Sequence, residues 1–422
     1  MFKSIAAGAL LCLFASAALP AESIYSEQDK LIRANRAVTT LGPDLFGDKV
    51  NLYNGTLEFV QTDVSLPGNN ALPVALGRRL TTGAEIPAKG VFGDWDIEIP
   101  HMHGIFSNSG WTTQAGGTAR CSTYGVPPVV NSPGGGMWNP EEYWHGNFMY
   151  LPGKGSEEIL VRDASNSNYP TASFGYTSTF TLTTKSMWSI KCIPMADGVA
   201  GEGFLAVTPD GTQYRFDKMM SRTYMAVTKA SPEPEYLLVP PGGGNESSRS
   251  AAALRSSGGG GVVTPNLVDG YLLLRKEVWL FPSLVTDKFG NTVTYNWGAG
   301  AAGSSGSISS SDGRTITFTY GTAGRIASVS DGSRTWTYEY SATYPNTGSL
   351  TRVNQPDGAS WQINMAAFNT GTYPMYSSSP WCDSEGAINP IASTGTMTHP
   401  SGATGSFQTI PTSHGRSFVE KV

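Results

Sequence analysis

Charge is scarce in this chain. Only 14% of its residues are charged, and 28 Lys and Arg stand against 33 Asp and Glu, for a net charge of −5. A nucleic-acid surface needs clustered cations, so that class of partner is excluded. Cysteine is scarcer still, with four in 422 residues and none at zinc-type spacing. No Ser stands within Gly-x-Ser-x-Gly, and the nearest run, Gly303-Ser304-Ser305-Gly306-Ser307, has Ser where the closing Gly belongs. The run Gly258 to Gly261 lacks the Lys-Ser/Thr of a phosphate loop and reads as linker. No motif asks for a cofactor. Past the first 21 residues, no apolar run is long enough to cross a bilayer.

Turn formers are plentiful instead. Gly at 50 and Pro at 27 are too many for a helical protein and too few for a wholly disordered one. With 39% hydrophobic and 11% aromatic residues, the chain has enough apolar surface for two or more domains.

Residues 1–21 have the form of a secretory signal: Lys3, an Ala/Leu-rich run over 5–19, then Pro20-Ala21. The run is too short for a membrane span, and Leu10-Leu11 before Cys12 argue against a lipoprotein. Export to the periplasm, cell surface or medium is the expectation. Cys121, Cys192 and Cys382 then remain, enough for one internal disulfide. Cys121 with Cys192 is the expected pair, since both lie in the same half.

Residues 22–37 form the best helix candidate. From residue 50 the apolar period becomes two, through Leu52, Leu57, Phe59 and Val64, then Leu72, Val74 and Leu76, with a turn at 67–70. Trp95, Ile97 and Ile99 suggest a third strand, interrupted by Pro100. Residues 107–155 are rich in Gly, Pro, Trp and Tyr, a composition of long ordered loops. Strands resume at 158–161, 180–184, 188–193 and 204–207. Residues 240–265 carry two glycine runs among Ser and Arg and cannot offset their ordering entropy. They are expected to be a disordered linker, or else a long insertion between two neighbouring strands; 298–311 is a smaller segment of the same kind. This divides the chain into a β-rich N-terminal domain at 22–239, a linker at 240–265, and a C-terminal region at 266–422.

The most regular stretch is 320–340, YGTAGRIASVSDGSRTWTYEY. Two alternating runs flank Asp331-Gly332, a β-hairpin signal. The pattern recurs at Asp287 with Gly290 and Asn291 before Tyr295, at Asp312-Gly313 before Tyr320, and at Asp357-Gly358 before Trp361. The aspartates step by 25, 19 and 26 residues, as expected for stacked units in one elongated sheet. Tyr320, Gly324, Ile326, Val329 and Asp331 together resemble the tyrosine-aspartate (YD) repeat of RHS proteins. Residues 285–295 resemble the segment that opens such arrays, and Gly203-Phe204 with 208–216 is similar to the strand-turn-strand upstream of them. Asn51 to Leu57 resembles the start of RHS and insecticidal-toxin shell proteins. The resemblance covers about 200–365, and 50–80 more loosely. It implies a mainly β fold: a β-rich N-terminal domain followed by stacked antiparallel hairpins of RHS/YD type, Tyr340 included. It further implies a non-catalytic scaffold for a toxin-enclosing shell or a cell-surface contact, with a further RHS or toxin polypeptide, or a surface glycan, as partner. Beyond residue 365 regularity weakens: 373–383 reads as loop, 396–407 as strand-turn-strand, and 416–422 as a further strand. An edge there would be covered by a partner or continued in a longer polypeptide.

Three constellations are weighed for chemistry. Trp138, Glu142, Tyr143 and Trp144 form an aromatic, acidic loop able to stack on sugar rings, with Glu141-Glu142 as potential acids of a glycosidase. The simpler reading is an acidic turn over a hydrophobic lid. His101 and His103 share a face of an extended segment and, with His145, would make a three-histidine metal site; plain turn histidines are the simpler reading and no metal is expected. The turn aspartates at 287, 312, 331 and 357 lack the spacing of calcium-binding β-roll repeats, so their role is to set turns.

Overall fold

The computed structural model describes residues 45–50, 57–82, 90–131, 136–162, 180–228, 272–343, 347–368 and 392–410. The signal, the helix expected at 22–37, residues 51–56 of the Asn51–Leu57 motif, the 240–265 segment, the 373–383 loop and the strand expected at 416–422 lie outside the described residues. Phe46–Val422 forms one compact unit. Among the described residues there is no α-helix, and the fold is mainly β.

Four strands form a small antiparallel sheet: β1 (Asp48–Val50), β2 (Leu57–Leu66), β3 (Val74–Thr81) and β4 (Asp96–Ile97). The third strand expected from Trp95, Ile97 and Ile99 is in fact two. β4 ends before Pro100, and β5 (His101–Ser107) joins a different sheet. A two-stranded pair follows, β6 (Val130–Asn131) with β7 (Met137–Trp138), then β8 (Asn147–Leu151) and β9 (Gly155–Glu158).

From there the chain runs as an antiparallel meander in sequence order. Its first strands are β10 (Leu160–Val161), β11 (Leu182–Thr183), β12 (Ser189–Pro194), β13 (Glu202–Val207), β14 (Gln213–Thr228) and β15 (Leu272–Thr286). They continue as β16 (Thr292–Asn296), β17 (Ser305–Ser310), β18 (Thr315–Tyr320), β19 (Ile326–Ser330) and β20 (Thr335–Tyr340). The last are β21 (Leu350–Asn354), β22 (Ser360–Asn364), β23 (Ser393–Thr398) and β24 (Thr404–Thr409). β14 and β15, which flank the 240–265 segment, pair directly from Gln213↔Thr286 to Thr228↔Leu272, so the segment connects two neighbours of one sheet.

β15 is a fork. Its other edge pairs with β5 over Arg275–Leu280 and with β16 over Leu284–Thr286. Pro282 lies between these two stretches, where a missing N–H forfeits no ladder bond. Its carbonyl accepts the Trp297 indole N–H at 3.0 Å.

Alternation gives each hairpin strand one apolar face. Val293, Tyr295, Ile308, Ile316, Phe318, Val329, Trp336, Tyr338, Val353, Trp361 and Met397 are all buried. Phe59, Val64, Leu76, Leu80 and Ile97 of the small sheet, with Phe92 and Trp95 just before β4, pack into the same core. The strip therefore does not leave its inner face open, because the chain's own β1–β4 covers it. Polar contacts pin the two together: the Arg314 guanidinium donates to the Leu66 carbonyl at 3.0 Å, and the Leu350 amide donates to Asp94 at 2.8 Å. Buried Arg78 pairs with Asp63 at 3.1 Å and lies over the Trp95 ring at 4.8 Å.

The segment at 298–311 corrects the expectation of a linker, since β17 (Ser305–Ser310) lies within it. Ile308 supplies its one large apolar side chain, and Gly306 lies so close beneath the Phe318 ring that a Cβ there would come within 2.4 Å of it. A strand built from Ser and Gly buries little of its own, and its neighbours complete its packing.

Turn geometry refines the repeat. Residues 208–212, 287–291, 310–314, 355–359 and 399–403 close the same way: the first N–H donates to the fifth carbonyl, and the fourth N–H to the first carbonyl. The fourth residue is always glycine (Gly211, Gly290, Gly313, Gly358, Gly402), with φ between +87° and +92°, a region that penalises a Cβ. The aspartates are not in one register. Asp287 is the first residue of its turn, whereas Asp312 and Asp357 are third, each accepting the N–H two residues on. Asp331 belongs to a tighter loop with Gly332 at its first central position, φ +94°. Hydrogen bonds from Arg314 and from Arg334 and Ser333 hold the carboxyls of Asp312 and Asp331 well below the usual carboxylate range. All these turns join odd to even strands, so they lie at one end of the meander. The connections at the other end are as long or longer.

Candidate binding site

The aromatic loop is placed as a plug. Trp138 and Tyr143 are fully buried and form a small core with Leu273. The Tyr143 hydroxyl donates to the Pro128 carbonyl, and the Trp144 indole N–H to Asn147 at 3.1 Å. Glu142 is buried, and its carboxylate accepts the Asn139 amide at 2.6 Å, a capping-box contact. The Trp138 and Tyr143 rings are packed against protein and the acid caps a turn, which is the arrangement of the simpler reading, a turn over a hydrophobic lid; Trp144 is half-buried.

Cys121 and Cys192 are joined in a disulfide, with Cα atoms 5.4 Å apart. Glu202 braces it, accepting the Cys121 and Ser122 amides at 3.0 and 2.8 Å.

His101 and His103 do share a face, with ring centroids 5.4 Å apart, whereas His145 is exposed on the loop before β8. Among the described residues, no group of three His, Cys, Asp or Glu side chains is arranged to hold a metal ion. What surrounds the histidines is a buried charged cluster that the sequence did not announce. Arg222 on β14 donates to Asp96 at 2.6 Å and to Glu277 at 2.9 Å, and its guanidinium lies 4.4 Å above the Trp279 ring. Arg79 donates to Glu58 at 3.3 Å and lies 3.9 Å over the Tyr150 ring. Tyr150 donates to both oxygens of Glu98, at 2.7 and 2.9 Å. His101 donates from Nδ1 to the Ile99 carbonyl at 2.8 Å, and His103 bonds Ser156 through Nε2 at 3.2 Å.

Burial sets the electrostatics. It pushes the His101 pKa well below its ordinary value and that of His103 to about 4, so both rings are neutral at pH 7. It raises the carboxyls of Glu98 and Glu277 against the pull of Arg79 and Arg222. Burial also opposes the charge on both arginines, but the acids around them outweigh it and raise their pKa. The signal that could have found part of this cluster is the alternation of acids with apolar residues in Asp94-Trp95-Asp96-Ile97-Glu98-Ile99; the pairing of Arg222 with Glu277 appears only in the strand register.

The cluster meets a cavity on each side. One, about 350 Å³, is lined by Asp96, His101, Arg222 and Trp279. The larger, about 530 Å³, has Glu98 in its wall with Trp188, Tyr214 and Tyr295. Tyr214 is half-buried, with its ring centroid 5.5 Å from that of Trp188, and burial pushes its hydroxyl up to about 12. A small polar molecule with one apolar face could be held here. No family model and no curated protein matches this chain.

Proposed function

We propose that this chain is an exported, non-catalytic scaffold of RHS/YD type, which acts by presenting a long rigid sheet in toxin delivery or cell-surface contact. The observation that carries the reading is the two-strand unit from β15 to β24: strand, tight glycine turn, strand, longer connection, with aromatic residues on the inner face. The cover that β1–β4 provides for that inner face favours an extended surface over a hollow shell. The outer face is a ladder of short polar side chains, in which Ser305, Thr319, Ser328, Thr337, Asn354 and Ser360 oppose one another strand by strand. Such a face stays soluble while keeping strand propensity high.

The test is to assay the purified chain on glycoside, ester and peptide substrates, and to measure retention of labelled chain on intact cells of the producing species. The scaffold reading expects retention on cells and no turnover. Turnover abolished by Glu98→Gln or His103→Gln overturns it.

A further inference from the structure

We propose that the cavity walled by Trp188, Tyr214 and Tyr295 binds one neutral pyranose ring, either a free sugar or the terminal residue of a surface glycan. The cavity, about 530 Å³, is the larger of the two that meet the charged cluster and is of a size that holds small ligands. Tyr214 is the half-buried ring of the three and offers the apolar surface suited to the C–H face of a sugar, while Trp188 and Tyr295 are buried and back the wall behind it. Four prolines, at 73, 100, 152 and 209, stiffen the rest of the wall, so little ordering cost falls on binding.

Polar groups narrow the ligand further. Glu98 and Asp210 line the cavity as acids, and Lys154 lines it as a base. Arg79 stands behind Glu98 at 3.6 Å, so two positive charges offset two negative ones. An anion would meet the two carboxylates, and a cation Lys154 and Arg79. A wholly apolar ligand would strip water from Glu98 and Asp210 without replacing its hydrogen bonds. A ring that carries hydroxyls at its edge and C–H groups on its face satisfies both kinds of wall. Glu98 already shares the single Tyr150 hydroxyl proton between its two oxygens and is held in place to accept another hydrogen bond from a sugar hydroxyl. The site is separate from the sheet surface invoked for the scaffold, so either reading can fail alone.

Saturation-transfer NMR on the full chain tests this, with methyl glycosides of glucose, galactose, mannose and N-acetylglucosamine as free-sugar probes and a glycan array for terminal residues. Saturation of at least one glycoside, or binding of a terminal hexose on the array, is expected. Tyr214→Ala should weaken it about tenfold, the loss of one stacked ring, while Tyr214→Phe retains it. Lys154→Ala, at an exposed turn that leaves folding intact, should weaken it severalfold and serves if Tyr214→Ala does not fold. The proposal is overturned if no probe binds, if tetramethylammonium binds in their place, or if sugar binding is unchanged by both substitutions.

Discussion

Arg222 reaches out of the long sheet to Asp96 in the small one, Nη1 to Oδ1 at 2.6 Å, while its other edge holds Glu277 of the neighbouring strand at 2.8 Å. One guanidinium thus spans the seam between the sheets and neutralises an acid on either side. Removing one partner of a buried pair strands the other, which costs more than the pair itself contributes. Arg222→Met is expected to destabilise the chain by about 3–5 kcal/mol in urea unfolding. Replacing Asp96 and Glu277 by Leu in the same background should recover most of that loss.

Acid should loosen the same seam earlier than carboxylate titration alone would. The folded His103 has its pKa depressed from 6.5 to about 4, and Arg79, Arg222, Asp96 and Glu277 surround it. Between those values the unfolded chain binds a proton that the folded chain does not, so stability falls as pH drops from 6.5 towards 4. The expected loss is on the order of 1–3 kcal/mol, followed by urea midpoints at stepped pH. His103→Gln should reduce the slope across that window without abolishing it, because buried His101, also held well below its ordinary value, loses stability over the same range. Asp312 and Asp331, held low by their turns, contribute only at more acidic pH.

Strands such as β18 and β20 were legible because alternation is strong there: Ile316, Phe318 and Tyr320, then Trp336 and Tyr338, all face the core. β17 was not, because Ser and Gly carry almost no hydrophobic signal and its place is fixed by Phe318 on the next strand. The Cys121–Cys192 pairing followed from the two thiols lying in the same half of the chain, and it holds. The aromatic loop was legible only as two alternatives, lid or sugar platform, since composition does not distinguish a ring that packs from a ring that waits for a ligand; Trp138 and Tyr143 pack. The charged cluster was only half legible: Asp96 and Glu98 alternate with apolar residues, but Asp96 and Arg222 are 126 positions apart and meet only when two sheets pack.

Glycine acts in two different ways along the hairpins, and substitution separates them. Gly313 has φ +90°, and a Cβ added there would meet no atom within 4 Å, so Gly313→Ala meets only backbone strain and should cost about 1–2 kcal/mol. Gly306 needs no special φ but would drive a Cβ to 2.4 Å from Phe318 and 2.5 Å from the Asn296 carbonyl. Gly306→Ala is therefore expected to cost more, about 3 kcal/mol, and Phe318→Leu should relieve part of it. Thermal unfolding of the three variants checks the order.

Truncating the aromatic plug should be a stability lesion. Trp138 and Tyr143 close a core with Leu273, so Trp138→Ala is expected to cost about 3–5 kcal/mol. Sugar binding, measured on the fraction that remains folded, should not change. Loss of binding with unchanged stability would restore the loop as a recognition surface.

The Cys121–Cys192 bridge closes a loop of 71 positions, and long loops lose the most entropy when cross-linked. Replacing both cysteines by Ser should lower stability by about 4 kcal/mol if the loop is otherwise free in the unfolded chain. The local structure should survive, because Glu202 still accepts the amides of residues 121 and 122, and Arg120 still donates to the Glu202 carbonyl at 2.8 Å. A lower urea midpoint with unchanged circular dichroism is the expected outcome, and the slope should steepen because the uncrosslinked unfolded chain exposes more surface. A changed circular dichroism spectrum would mean that the bridge shapes the native sheet and does more than restrict the unfolded chain.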